Sequence, residues 1–236
     1  MEPINSSSPA RPRTARRLFQ VAASTGLWIA ALFGGAGRLD WLRGWIYVAA
    51  YLILLGSAAA VVHRANPDLF EARAHWRHTD TKRFDRVILA LFLPVYFIQP
   101  AVAGLDNARF GWWPIGFGTV YPGLVLFSAA IILLTWAMAV NRFAESTVRI
   151  QTDRGHRVVS TGPYRAVRHP MYVAAILLAV GTPLILGSMW ALVVAGVIAL
   201  LFLIRTALED RTLRRELPGY EEYATRTRYR LIPGIW

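Results

Sequence analysis

Long apolar runs alternate with short polar connections along this chain, a pattern typical of a protein that crosses a membrane several times. The first run, at about residues 18–35, contains several Gly and Ala, and the second, GWIYVAAYLILLGSAAAVVH, is strongly apolar. Further runs extend over residues 87–103, 115–140 and 171–204. The pattern predicts an all-α fold: a polytopic helical bundle in the membrane.

The last apolar run is too long for a single crossing. At 1.5 Å per residue, one straight helix over its roughly 34 residues would be about 51 Å long, whereas the hydrocarbon core is about 30 Å thick. The middle of the run carries GTP and GS, which are turn signals. We therefore predict a tight helical hairpin with its turn near Gly181–Ser188, whose arms continue beyond the apolar run on the side of the preceding polar block.

The distribution of Lys and Arg sets the expected orientation, because cytoplasmic connections of membrane proteins are enriched in these residues. The N-terminal segment 1–17, the connection between the second and third runs, the polar block 141–170 and the C-terminal tail are all rich in Arg. They fall on one side if there are about six transmembrane helices, with both termini in the cytosol. Five spans, with the first run lying in the interface, are the alternative. Segment 1–17 is also rich in Ser and Pro and is expected to be a disordered tail.

Composition narrows the possible chemistry. The chain is 55% hydrophobic with a mean hydropathy of +0.38, and its formal charge is +12. It has no cysteine, which excludes disulfides, thiolate metal ligands and cysteine nucleophiles. Because the cations lie between apolar runs, we interpret them as topology charges facing anionic lipid rather than as a nucleic-acid surface. The expected surroundings are therefore membrane lipids, without a nucleic-acid partner.

The polar block ends in STGPYRAVRHPMY, a stretch (Ser160–Tyr172) that combines two prolines with three cations. Gly162-Pro163 predicts a turn, and Pro170 restricts His169 to an extended conformation and favours a helix start. Polar side chains on a stiff backbone are preorganised for a small polar ligand. A basic loop that only sets topology is the alternative, but such a loop needs the cations and not these backbone constraints.

A second candidate group follows the last apolar run. Arg205 and Glu209 stand four residues apart and so share one helix face, as do Asp210 and Arg214. Charge pairs of this kind usually belong to a solvated helix. Arg205 and Glu209, however, lie at the expected membrane boundary, where ionisable groups cost more and are more often functional. Leu-Pro-Gly at 217–219 is predicted to end this helix, and the aromatic tail behind it to pack against the polar block.

Other polar groups give weaker signals. His63, His75 and His78 have no acidic partner at metal-ligand spacing, so no metal site is predicted. Ser146 lacks the setting of a hydrolase nucleophile, and GGAG at 34–37 is interpreted as the end of a span rather than as a nucleotide-binding loop. The chemistry is therefore expected in the polar block and the C-terminal region.

Several of these segments together match one known pattern. GHRVVSTGPYRAVRHPMY, the apolar hairpin, Arg205-x-x-x-Glu209, LPGYEEY and YRLIPGIW resemble the isoprenylcysteine carboxyl methyltransferase family, which is related to the phospholipid N-methyltransferases. The similarity covers about residues 141–236, and NPDLFEARA at 66–74 also fits. It implies an integral-membrane enzyme that uses S-adenosyl-L-methionine, with a cytosolic cofactor pocket formed by the 141–170 loop and the C-terminal helix.

The resemblance also implies roles for regions and residues. Residues 18–140 would supply N-terminal transmembrane helices, and residues 141–236 the catalytic region. Glu209 is expected to contact the ammonium group of the cofactor and Arg205 to contact the acceptor, which makes these two the candidate catalytic residues. His156 is expected to contact a polar group at the methionine end. The remaining expected cofactor contacts are Arg157, Val158, Val159, Tyr164, Arg168, His169, Pro170, Met171 and Tyr172.

Several alternatives stay open at this stage. Asp210 stands where the family more often has a second Glu, so its role is open, and either Arg149 or Gln151 could supply a further cofactor contact. The acceptor is expected to be a lipophilic or membrane-associated molecule that enters from the bilayer, with O-, N- and S-methylation all open. An NADPH-dependent membrane sterol reductase, which has a similar Arg-His-Pro-x-Tyr segment, is the alternative enzyme, and a non-catalytic membrane protein is the third reading. The Arg-dominated, cysteine-free composition favours a bacterial cytoplasmic membrane.

Overall fold

The computed structural model describes residues 11–74 and 78–236 of the 236-residue chain. The α-helices in these ranges are α1 (Arg11–Ala36), α2 (Leu42–Ala65), α3 (Pro67–Ala74), α4 (Arg83–Ala103), α5 (Val120–Val140), α6 (Pro170–Leu186), α7 (Met189–Glu216) and α8 (Tyr220–Arg226). A π-helical segment (Gly104–Phe110) extends α4, and 3-10 turns lie at Phe117–Thr119, Thr152–Arg154 and Gly162–Arg165. No β-strand occurs in the described ranges, and the predicted all-α fold is confirmed.

Five helical segments are long and apolar enough to cross a membrane. They are Phe19–Ala36, Leu42–Ala65, Arg83–Phe110, Phe117–Val140 and Met189–Glu216. The sixth apolar helix, α6, has 17 residues and is therefore about 25 Å long, slightly less than the hydrocarbon thickness. The protein is thus a polytopic membrane helical bundle, with α6 as the short arm of its last hairpin.

The first helix packs as a member of this bundle. Trp28 stacks on Tyr47 of α2 with 4.8 Å between ring centroids, and it also lies near Tyr96 of α4. Gly35 approaches α4 so closely that a Cβ would lie 2.3 Å from the Ala101 carbonyl oxygen. This packing favours the six-helix arrangement over an interfacial first segment.

The same helix extends further towards the N-terminus than expected. It begins at Arg11, inside the segment 1–17 that was predicted to be a disordered tail. Arg and Ala, which are frequent here, are among the strongest helix formers, so an apolar helix readily continues into them. Residues 1–10, the rest of that segment, lie outside the described residues.

The predicted hairpin is present, and its turn consists of Gly187 and Ser188. α6 ends at Leu186 and α7 begins at Met189. Gly187 has a φ of 76°, the left-handed conformation that glycine adopts without a steric penalty. The Ser188 hydroxyl caps α7 by accepting a hydrogen bond from the Ala191 N–H at 3.0 Å.

The two arms of the hairpin are unequal. α7 continues past the apolar run to Glu216, as predicted. The predicted continuation of α6 is wrong, because the chain before Pro170 is disfavoured in a helix and α6 starts at that proline. GTP at 181–183 lies inside α6 rather than in the turn. Its Gly181 has a packing role: a Cβ there would lie 3.0 Å from the Phe127 backbone nitrogen, so glycine lets α5 and α6 approach closely.

A buried carboxylate ties the hairpin turn to the connection before α5. Asp106 is fully buried and accepts hydrogen bonds from the Ser188 hydroxyl at 2.6 Å and from the N–H groups of Trp113 at 2.6 Å and Trp190 at 3.3 Å. The rings of Trp113 and Trp190 are exposed beside it, as expected of aromatic side chains at a membrane–water interface. The turn is thereby fixed at the end of the bundle opposite the polar block, and α7 brings the chain back to that block.

The α5–α6 contact is expected to be sensitive to a single methyl group. A Cβ at Gly123 would lie 2.7 Å from the Ile185 backbone nitrogen, so Gly123→Ala forces the helices apart and is expected to cost about 1–3 kcal/mol, the usual range for overpacking. Gly196→Ala is the matched control, because a Cβ there meets no atom within 4 Å. Thermal unfolding of both variants in detergent measures the difference, and equal midpoints would contradict the close contact.

Candidate functional site

The loop between α5 and α6, residues 141–169, is held in shape by glycine and proline. Gly162 has a φ of 58°, and a Cβ there would lie 3.1 Å from a neighbouring indole nitrogen, so glycine suits both the conformation and the space. Pro163 follows inside a 3-10 turn, which confirms the predicted turn. The next side chain, Tyr164, is buried, and its hydroxyl accepts a hydrogen bond from the Asn141 amide at 2.9 Å.

The C-terminal tail packs against this loop. α7 ends at Glu216, before the Leu-Pro-Gly segment, as predicted. The Arg168 N–H donates to the Tyr229 carbonyl at 2.9 Å, and the Tyr223 hydroxyl of α8 donates to the Tyr164 carbonyl at 2.7 Å. The predicted packing of the aromatic tail on the polar block is therefore confirmed.

One buried carboxylate joins the loop, α7 and the tail. Asp210 of α7 is completely buried and accepts hydrogen bonds from Nε of Arg168 at 2.7 Å and Nε of Arg230 at 2.9 Å. Nε of Arg214 lies 3.3 Å away, which confirms the predicted i,i+4 pair. The Tyr220 hydroxyl donates to the same carboxylate at 3.1 Å. The side chain of Asp210 thus fixes the loop and the tail against α7.

Arg205 and Glu209 occupy one face of α7, as their spacing predicts, and each has a further partner. Arg205 donates from Nε to Asp85 of α4 at 2.8 Å and from Nη2 to the Ser146 carbonyl at 2.9 Å. Its guanidinium also lies over the Tyr172 ring, 5.1 Å from the centroid. Glu209 accepts a hydrogen bond from the Tyr172 hydroxyl. Asp85 of α4, Tyr172 of α6 and the loop backbone therefore hold Arg205, and Tyr172 also holds Glu209.

These elements enclose a cavity of about 410 Å³, within the usual range for small-molecule sites. All twelve residues predicted for the site line this cavity. They are His156, Arg157, Val158, Val159, Tyr164, Arg168, His169, Pro170, Met171, Tyr172, Arg205 and Glu209. The loop and α7, which the hairpin separates in sequence, thus line the same cavity.

The cavity has a polar and an apolar part. Glu145, Arg149 and His156 belong to its polar wall. Its apolar wall includes Phe92 of α4 and Phe202 of α7, whose rings meet edge to face with 5.2 Å between centroids. α4 and α7 both belong to the long apolar helices, so the apolar wall is made by the membrane-spanning part of the bundle.

The two alternatives for a further cofactor contact, Arg149 and Gln151, both line the cavity, and both make hydrogen bonds within the protein. Arg149 donates to Glu145 at 2.7 Å and to Asp153 at 2.8 Å, and these hydrogen bonds raise its pKa above the ordinary value. Gln151 donates from Nε2 to the Phe143 carbonyl at 2.8 Å. Hydrogen bonds within the protein therefore hold both side chains in place in the wall of the cavity.

Two charged residues at the site were not identified from the sequence. Arg73 of α3 lines the cavity and donates to the Ala144 carbonyl at 2.6 Å. Asp85 of α4 is fully buried and pairs with Arg205. The signal for Arg73 was its place in NPDLFEARA, the segment at 66–74 that also fits the family pattern. The signal for Asp85 was a carboxylate immediately before an apolar run, which is a costly place for an unpaired charge.

The histidines considered as metal ligands do not gather in the part of the chain that the structure describes. His78 lies 3.6 Å from the Glu145 carboxylate, but no group of three potential ligands forms among the described residues. His75 lies outside those residues.

Comparison with known proteins agrees with this arrangement. The family model for phospholipid methyltransferases matches residues 119–218. The chain is 30% identical to the nickel-cobalt-cadmium resistance protein NccN of Alcaligenes xylosoxydans xylosoxydans, with 55% of this chain and 70% of that protein covered. It is 27% identical to protein-S-isoprenylcysteine O-methyltransferase B of Arabidopsis thaliana, with 58% of this chain and 69% of that protein covered. The chain belongs to the phospholipid and isoprenylcysteine methyltransferase family.

The segment of this methyltransferase that matches the family model runs from the start of α5 to just past the end of α7. It therefore includes the loop, the hairpin and all twelve residues predicted for the site. Methyltransferase activity is supported by the family and by the Arabidopsis relative. The resemblance inferred from the sequence is confirmed, and the protein is a membrane methyltransferase of this type.

Removing the carboxylate of Asp210 is expected to destabilise the methyltransferase strongly. Asp210→Ala leaves Arg168, Arg214 and Arg230 without their shared anion, and breaking a buried ion pair in this way costs about 3–5 kcal/mol. Glu222→Ala removes a carboxylate from an exposed i,i+4 pair and is expected to cost at most about 1 kcal/mol. Thermal unfolding in detergent compares the two, and a similar small loss in both would contradict the role of Asp210.

The His156 side chain is expected to make stability depend on pH. Burial lowers the pKa of His156 below its ordinary value of 6.5, and its Nδ1 accepts a hydrogen bond from the Gln151 N–H at 3.3 Å. The unfolded chain therefore takes up a proton at a pH where the folded protein does not, so stability falls as pH falls below 6.5. We expect a smaller fall in the unfolding midpoint for His156→Gln than for the wild type between pH 7.5 and 5.5. Parallel pH profiles would contradict this assignment.

Proposed function

We propose that this protein transfers a methyl group from S-adenosyl-L-methionine to a lipophilic or membrane-associated acceptor. The observation that carries the proposal is the single cavity in which all twelve predicted residues meet. The cavity lies where the ordered loop and α7 face each other, and its apolar wall belongs to membrane-spanning helices. A polar donor and an apolar acceptor need such a combination.

The charged groups of the cavity fit the proposed donor. S-adenosylmethionine has a sulfonium, an ammonium and a carboxylate, so its site needs groups of both signs. Glu209 supplies an anion for the ammonium group, and His156 a polar contact at the methionine end. Tyr164 and the segment 168–172 complete the wall on the loop side. When bound, the cofactor would supply a methyl group already activated by the sulfonium.

The protein's own contribution is then positioning and exclusion of water. Methyl transfer needs the acceptor atom in line with the activated methyl group, and correct placement alone can account for much of the rate. Arg205 orients the polar group of the acceptor, most directly a carboxylate, which needs no base because it is already an anion. An amine or thiol acceptor would need a proton acceptor, for which Glu209 lies on the same helix face.

The acceptor's apolar part is proposed to lie along Phe92 and Phe202. These rings line the cavity and belong to membrane-spanning helices, so a lipophilic molecule could reach them sideways from the bilayer. This route gives a reason for a methyltransferase to be embedded in a membrane. Membrane lipids are therefore its expected surroundings and no nucleic acid is required.

We further propose that both termini face the cytosol, in the cytoplasmic membrane of a bacterium. The loop, the end of α7 and the tail carry most of the Arg residues on one side of the bundle, as cytoplasmic segments usually do. The catalytic region would be residues 141–236, with the transmembrane helices of residues 18–140 supporting it.

A membrane sterol reductase is the alternative enzyme, and it is not favoured. The family model and the Arabidopsis relative both point to methyl transfer. Equilibrium binding to detergent-purified protein tests the choice directly. S-adenosylmethionine or its demethylated product should bind, and NADPH should not. Binding of NADPH alone would support the reductase, and binding of neither to folded protein would support a non-catalytic role.

Two variants separate the proposed roles on α7. Glu209→Ala is expected to weaken S-adenosylmethionine binding by about 10–100-fold, because a hydrogen bond to a charged group contributes about 1.5–3 kcal/mol. Arg205→Gln, which keeps a donor for Asp85, is expected to leave this binding unchanged and to lower transfer of a labelled methyl group into a total lipid extract by about 100-fold.

The exposed Glu222→Gln is the control for both measurements. Wild-type donor affinity in Glu209→Ala would contradict the ammonium contact. Loss of donor binding in Arg205→Gln would contradict the assignment of Arg205 to the acceptor. Identification of the labelled product would establish the acceptor and the atom that is methylated.

A further inference from the structure

Asp85 is a buried carboxylate with two separate contacts at the edge of the cavity. It stands in the first turn of α4 and is fully buried. Its Oδ1 accepts from Nε of Arg205 at 2.8 Å, and its Oδ2 accepts from the N–H of Val148 at 2.7 Å. One carboxylate therefore joins α4 to α7 and to the loop. Asp85 itself is not part of the cavity lining, whereas both of its partners are.

The contacts of Arg205 leave one side of its guanidinium for a ligand. Nε donates to Asp85 and Nη2 donates to the Ser146 carbonyl at 2.9 Å. Nη1 donates to no backbone carbonyl of residues 11–74 and 78–236 and to no side chain among those that the structure describes. Arg205 lines the cavity, so Nη1 is the donor group that remains for an incoming molecule. Because the guanidinium is planar, two fixed nitrogens also fix the direction of the third.

We propose that Asp85 is a positioning residue for methyl transfer: it orients the Arg205 guanidinium so that Nη1 meets the polar group of the acceptor. The inference rests on the proposed function, in which Arg205 contacts the acceptor. Asp85 touches neither the donor nor the acceptor and acts through Arg205. Without this partner, a long Arg side chain at the membrane boundary would sample several rotamers, and the acceptor would lose its alignment.

The alternative is that Asp85 only anchors the loop through Val148, and Asp85→Asn distinguishes the two roles. The amide oxygen of Asn can still accept from the Val148 N–H. Its NH2 group is a donor and cannot accept from Nε of Arg205. In this orientation of the amide, the substitution removes the contact that orients the guanidinium and keeps the one that anchors the loop. Asp85→Ala removes both contacts.

The experiment measures donor binding and methyl transfer separately. For Asp85→Asn we expect unchanged affinity for S-adenosylmethionine, and about a 100-fold fall in transfer of labelled methyl into a total lipid extract, as for a small misplacement of a reacting group. The amount of extract needed for half-maximal transfer should rise, while the half-saturating donor concentration should not. Asp85→Glu, which keeps the carboxylate, should retain more transfer than Asp85→Asn. Glu222→Gln is the matched carboxylate-to-amide control and should behave as the wild type.

Each outcome decides the proposal. Wild-type transfer by Asp85→Asn would overturn it, and so would a loss of donor affinity in parallel with transfer, because that indicates a structural role. If Asp85→Asn does not fold, Asp85→Glu decides: lowered transfer at unchanged donor affinity supports the positioning role, and a parallel loss of transfer and donor affinity overturns it. A wild-type protein that binds no S-adenosylmethionine would instead refute the proposed function itself, so the two failures are distinguishable.

Discussion

The arrangement of the site depends on one buried carboxylate. Asp210 receives hydrogen bonds or ion pairs from arginines of the loop, of α7 and of the tail. A buried anion is unfavourable unless its hydrogen-bonding capacity is satisfied, and Arg168, which is itself buried, needs an anion in turn. The three segments satisfy both needs by meeting at this point. The walls of the cavity follow from that meeting.

The hairpin makes this meeting geometrically possible. Gly123 and Gly181 bring α5 and α6 together, and Gly187 with Ser188 turns the chain at the far end. α7 then returns over the full depth of the bundle, so Asp210 stands beside Arg168 of the loop, from which 42 positions separate it in sequence. Small residues and one left-handed glycine thus determine where the charged side chains of α7 lie.

The helices and most residues of the site could be predicted from the sequence, because these features depend on residues that are close together in the chain. Apolar runs predict helices, and the proline at 170 marks the start of α6 regardless of what packs on it. The family pattern added the twelve residues that line the cavity. Asp85 could not be identified in this way, since its contacts join distant parts of the chain. Asp85 and Arg205 are separated by 120 positions, and no local pattern reports such a pair. Asp210 was noticed for its spacing from Arg214, but its other partners come from the loop and the tail.

The position of Arg205 and Glu209 on a continuous helix has a further consequence. Four residues of α-helix correspond to an axial rise of about 6 Å, and this rise does not change when loops or neighbouring helices move. In the proposed assignment, one residue faces the acceptor and the other faces the donor. The distance between the donor and acceptor positions is then set by the geometry of the helix itself. Evolution of a new acceptor could alter the apolar wall freely while the spacing of the reacting partners stayed the same.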